Sequence, residues 1–78
     1  MTILLLLGPA REAAGVRRDD IEGATVGDVL IGAVERYGPE FARVLERSQV
    51  WRNGEETELT EGVGPHDEVA VLPPVSGG

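Results

Sequence analysis

One amphipathic helix limits what this chain of 78 residues can build. Val26, Val29, Leu30, Ala33, Val34 and Tyr37 recur at i, i+3, i+4, i+7, i+8 and i+11, a single apolar stripe at helical period. Thr25 and Asp28 fit a capping box at its start, and the acid is also favoured by the helix dipole. Gly38-Pro39 ends it. Gly27 and Gly32 weaken the helix from within, so packing on a sheet must hold it. One such helix covers one face of one sheet.

The remaining apolar segments read as short strands. Ile3 to Leu7 is an unbroken apolar run closed by Gly8-Pro9, which fits a strand covered on both faces. Ala10 to Ala14 reads as one helical turn ended by Gly15, and Val16 to Glu22 as a polar edge strand in a hairpin with the first. A second short turn is expected at Pro39 to Arg47, with Phe41, Val44 and Leu45 facing inward. Gln49 to Arg52 and Glu55 to Leu59 are strands around Asn53-Gly54, the strongest hairpin signal in the chain. Glu68 to Leu72 is the last strand, stopped by Pro73-Pro74. The fold class is therefore α+β, with one mixed sheet on one main helix in a single domain spanning 1–78.

That layout leaves one sheet face without a helix. The first strand is apolar on both sides, with Leu4 and Leu6 one way and Ile3, Leu5 and Leu7 the other. The last strand repeats this, with Val69 and Val71 against Ala70 and Leu72. The uncovered face should carry an apolar patch, which in a small domain marks a partner site.

The chain offers little for an active site of its own. Cysteine is absent, which removes disulfides, thiolate metal sites and a cysteine nucleophile. A staple-free chain of this size fits a reducing compartment. The opening Met1 to Leu7 lacks a basic leading region and is far shorter than the ~20 residues of a membrane span. A cytoplasmic location is expected. His66, the only histidine, reads as a solvated turn residue. The seven basic residues are all arginine, against 14 acids, for a net charge of −7. That balance disfavours nucleic acid and anionic membranes as partners.

The informative segment is the end, Leu72-Pro73-Pro74-Val75-Ser76-Gly77-Gly78. Proline favours extended polyproline geometry, so residues 73–78 should project as a flexible tail. Gly77 and Gly78 have no side chains, so they can thread a narrow channel and present a bare carboxylate. With 11 glycines in 78 residues, a terminal pair arises by chance at roughly 2%, so the pair counts as a signal. A carboxylate becomes a good electrophile once joined to AMP. A sulfur nucleophile then yields a thiocarboxylate, and an amine yields an amide. No nucleotide-binding motif is present, so activation must come from another enzyme.

The ending from Asp67 to Gly78, with Arg11-Glu12 after the first strand and Asn53-Gly54 before the return strand, resembles the small, sulfur-carrier subunit of molybdopterin synthase, the MoaD/ThiS family. The resemblance covers the whole length. It implies a ubiquitin-like β-grasp fold. It also implies that Gly78 is the site of adenylation and of the thiocarboxylate, with Gly77 allowing the tail to thread. Leu7, Arg11, Leu72, Pro73, Pro74 and Val75 would meet the partner. The implied partners are an E1-like adenylating enzyme, a sulfur donor and the large synthase subunit, in a heterotetramer. ATP and magnesium would be used by the adenylating enzyme, and no cofactor would be bound by this chain. Sulfur would pass to cyclic pyranopterin monophosphate. A −7 carrier would repel that anion, so the large subunit is expected to supply the basic pocket. Pro65-His66-Asp67 stands where the family usually has Asp-Gly-Asp, and Val71-Leu72 where aromatics are common. Two other readings share the same reactive end: a sulfur carrier for thiamin thiazole or a sulfur amino acid, and a ubiquitin-like modifier of other proteins. A purely structural binding module is a further alternative.

Overall fold

The computed structural model describes residues 1–74. The element order is β1 (Thr2–Leu6), α1 (Pro9–Ala14), β2 (Arg18–Ile21), α2 (Val26–Tyr37), α3 (Pro39–Glu46), β3 (Gln49–Arg52), β4 (Glu55–Glu56) and β5 (Glu68–Leu72). The five strands form one mixed sheet in the order β2-β1-β5-β3-β4. The N-terminal and C-terminal strands lie side by side and parallel at its centre, with Leu4 opposite Val69 and Leu6 opposite Val71.

The parallel register settles which strand face is the core. Leu4, Leu6, Val69 and Val71 are fully buried and join Ile21, Val26, Val29, Leu30, Ala33 and Phe41 in one cluster. Ala10 of α1 belongs to the same cluster, so all three helices contribute to the core. The α2 stripe therefore packs as its spacing predicts. Gly32 is not a defect there, since a Cβ at that position would sit 2.8 Å from Ile21 Cγ2. The missing side chain lets α2 approach β2 closely.

Three expectations need revision. The segment after Gly38 is a full helix of 8 residues, not a single turn. Pro39 opens it with a preset φ, and Phe41 buries completely beneath it, edge-on to Tyr37 at 5.1 Å between ring centres. The return strand stops at Glu56 rather than Leu59. The chain turns away because α2 needs it: the Gly27 and Val26 N–H groups donate to Leu59 and Glu61 carbonyls at 2.8 and 2.9 Å. With the Thr25 hydroxyl accepting from Asp28 N–H at 3.1 Å, these satisfy orphan donors of the first helical turn. The polar edge strand is also shorter than expected, Arg18–Ile21 instead of Val16 to Glu22.

Two aspartates pin the periphery. Asp19 accepts from the Tyr37 hydroxyl at 2.5 Å and pairs with Arg36 at 2.9 Å, tying β2 to α2. Both contacts hold its carboxyl below the ordinary 3.8, the tyrosine bond most of all. Burial and that same carboxylate push the Tyr37 phenol upward. At the opposite end Asp67 accepts from Asn53 Nδ2 at 2.9 Å and from Gly64 N–H at 2.8 Å. The first of these leads in lowering its carboxyl too. A depressed folded value means stability present above the unfolded value and lost as pH falls through the folded one. Denaturant midpoints measured downward from pH 7 are expected to hold until about pH 4 and then fall. Asp19→Asn with Asp67→Asn should flatten that acid limb, and an unchanged limb would assign the acid sensitivity elsewhere.

Candidate functional site

The site is the end of the sheet where the chain leaves β5. Leu72 is the last strand residue, paired with Gln49, and Leu7 N–H donates to Val71 carbonyl at 3.1 Å. Beyond this bond the two central strands separate. Gly8 takes φ +57, and a Cβ there would lie 3.3 Å from Pro73 Cγ. The first proline of the tail thus sits over a glycine at the top of β1. Both Pro73 and Pro74 are exposed. Val75, Gly77 and Gly78 lie outside the described residues. Gly8→Ala is expected to destabilise by roughly 1–3 kcal/mol in urea titration, because its ψ of −131 combines with the positive φ in a region alanine strongly avoids. A midpoint unchanged from wild type would show that the turn relaxes freely.

Three surfaces meet at this end. The first is the helix-free sheet face. Cross-strand register places Leu5, Ala70 and Trp51 in one row, with Ile3 and Leu72 on the same side. All five are half-buried, an apolar stripe open to solvent on a face no helix covers. Leu72 therefore belongs to the open face, which strand alternation alone left undecided. Leu7, one residue past β1, is 44% exposed. The second surface is a shallow hollow bordered by Leu7, Gly8, Arg11 and Arg17, which brings two of the sequence's partner residues together. The third lies beside Pro73 and Pro74 and is lined by Pro9, Glu40, Arg43, Val44, Arg47 and Ser48.

Charge at this end opposes the charge of the whole. Arg11, Arg17, Arg18, Arg43 and Arg47 all lie around the tail base, five of the seven arginines. Glu12 and Glu40 accompany them, and Glu40 meets Arg43 at 3.5 Å in an exposed pair of little strength. Most carboxylates are elsewhere, including Glu55, Glu56, Asp67 and Glu68 at or beyond the Asn53-Gly54 turn. Sequence reading singled out only Arg11 of this group. Arg17 and Arg18 reach the tail base by antiparallel pairing with β1, and Arg43 and Arg47 by the crossover through α3. The net charge of −7 is thus an average over a polarised molecule.

His66 is exposed in its turn, as expected. Among the described residues, no group of three histidine or acidic side chains is placed to hold a metal, and no helix is long and apolar enough to cross a membrane.

The arrangement of sheet, crossover helices and terminal strand recurs in known proteins. The sequence matches the ThiS family over residues 4–78. This chain belongs to the ThiS family. It is 40% identical to small archaeal modifier protein 1 of Haloferax volcanii over 83 aligned positions, covering 94% of this chain and 95% of that protein. The crystal structure of the Haloferax protein superposes with a TM-score of 0.78 at 39% identity, covering 99% of this chain and 98% of that one. The solution structure of small archaeal modifier protein 1 from Methanosarcina acetivorans gives 0.84 at 28% identity, covering 99% and 95%. A Pyrococcus furiosus protein assigned as molybdopterin converting factor, subunit 1, gives 0.84 at 25% identity, covering 95% and 97%. The fold is the ubiquitin-like β-grasp, and the chain is a small carrier protein of the ThiS/MoaD kind.

Proposed function

We propose that this carrier works through its terminal carboxylate as the sulfur-donating small subunit of molybdopterin synthase. Gly78 attacks the α-phosphate of ATP on an E1-like enzyme, releasing pyrophosphate and forming the acyl-adenylate. A sulfur donor displaces AMP and leaves a thiocarboxylate. In the synthase complex the sulfur bonds to cyclic pyranopterin monophosphate while water takes its place on the carbonyl, which restores Gly78. The observation that carries this reading is the tail base. Pro73 and Pro74 leave the sheet beside the apolar stripe and the exposed Leu7, so a partner gripping the body meets the base of the tail at one place. The match extending to residue 78 and the likeness to the Pyrococcus protein support it.

The decisive test is the intact mass after incubation with the adenylating enzyme, ATP, magnesium and a sulfur source. The expected product carries one oxygen exchanged for sulfur. Mass unchanged under conditions that convert a known carrier would reject the proposal.

A second reading has its own support. At 40% identity to a small archaeal modifier, the activated Gly78 is also suited to forming an amide with a lysine of another protein. The chain has no lysine, so it would modify others without building chains on itself. Adducts of raised mass on a denaturing gel that vanish without Gly78 would establish conjugation. A thiocarboxylate that feeds dithiolene formation would establish the first reading.

The arginine end bears on either route. Arg43→Glu with Arg47→Glu is expected to slow adenylation roughly tenfold at low salt, since reversing rim charges acts mainly on encounter rates. The gap should narrow as ionic strength rises. Equal rates at low salt would show that the activating partner does not read this charge.

A further inference from the structure

A further surface lies on the α2 side of β3, separate from the open sheet face, and is assigned to neither route. An apolar groove of about 540 Å³ runs along α2, lined by Leu30, Ile31, Val34, Leu45, Val50 and Leu59. Ile31 and Leu59 are 61% and 58% exposed there, an unusual placement for large apolar side chains on a small carrier. Its neighbour in the sheet is an open strand edge. β4 pairs only with Trp51 and Arg52, so among the described residues no strand lies beside Gln49 and Val50 of β3 on that side. Val50 itself lines the groove.

An open edge next to an apolar trough fits one kind of ligand. An extended peptide laid along β3 gains main-chain hydrogen bonds at Val50 and drops alternate side chains into the trough. The rim selects the flanks. Glu35 lines the groove, and Glu46, Glu56, Glu58 and Glu61 stand exposed on the segments that border it. Arg47 and Arg52 lie nearby and offset only two of these five charges. A second copy of this chain would bring the same acidic rim against itself, which opposes self-pairing.

We propose that this groove binds, by strand addition to β3, an extended segment of another protein with alternating aliphatic residues flanked by lysine or arginine. Such a contact would let the body be recruited non-covalently while the tail remains free for chemistry.

The probe is a displayed library of random nine-residue peptides, selected against the whole protein. The expected winners alternate Val, Ile or Leu and carry basic flanks. A synthetic winner should shift the backbone amide signals of Ile31, Gln49, Val50 and Leu59. Ile31→Glu, at an exposed helix position, should weaken it at least tenfold while adenylation at Gly78 is unchanged. Glu35→Lys with Glu58→Lys should weaken it and reduce its salt dependence. No enriched pattern, winners with acidic flanks, binding indifferent to Ile31→Glu, or a dimer in sedimentation that uses this groove would each overturn the proposal. The readout is binding alone, so failure here leaves the chemistry at Gly78 untouched, and the reverse holds too.

Discussion

Deleting Gly78 is expected to abolish the carrier reaction and leave the folded body as it was. The two halves of that result have separate causes. Among the described residues the core cluster spans Leu4 to Val71, and neither Pro73 nor Pro74 belongs to it. Thermal and urea midpoints should therefore match wild type. The reaction, by contrast, is a matter of position. Removing one residue draws the carboxylate back by about 3.5 Å along an extended chain. Misplacement by about 1 Å already costs about 100-fold where a nucleophile must meet a held carbonyl. It also replaces the terminal glycine with Gly77 carrying the carboxylate, so the reach changes and the chemical type does not. A variant extended by one residue beyond Gly78 should fail equally. If the shortened chain is still converted to a thiocarboxylate at a comparable rate, the activating partner does not measure reach, and the reading of Gly78 as the required site of adenylation is wrong.

Phe41→Ala is the substitution expected to cost the body most. Phe41 is the largest fully buried side chain, 0% exposed, on the helix that the sequence reads as a mere turn. Truncating a buried phenylalanine costs about 3–5 kcal/mol, from lost burial and the cavity left behind. A domain of 78 residues has roughly 4–12 kcal/mol in all. The variant should therefore lose a large part of its margin and show a greatly lowered urea midpoint. Phe41→Leu, which keeps most of the volume, should recover much of the loss. The effect also reaches the site, because α3 carries Arg43 and Arg47 to the side of Pro73. A loss below about 1 kcal/mol would mean that α3 is not anchored through this ring.

These two results bear on different parts of the chain, and the sequence speaks unequally about them. The α2 stripe from Val26 to Tyr37, the Asn53-Gly54 turn and the stop at Pro73-Pro74 are all local signals. Each depends on residues within a few positions of one another, so each is legible along the chain and agrees with the elements found. Asn53 does take the positive φ, +52, that such a turn requires. Where a local reading went astray, a distant demand overrode it. The segment Thr57 to Leu59 has strand-like spacing, yet Leu59 and Glu61 are drawn off to cap the first turn of α2.

What the chain order alone determined is therefore the kinds of element and their sequence. Only the packed molecule decided the parallel pairing of β1 with β5, and with it which side of each doubly apolar strand faces the helices. Alternation defines two faces but does not say which is covered, since that depends on contacts between segments over 60 residues apart, such as Ile3 with Glu68. The same holds for the arginines. Arg11, Arg17 and Arg47 are scattered in sequence and share one end of the molecule only because antiparallel pairing and a helical crossover return the chain there.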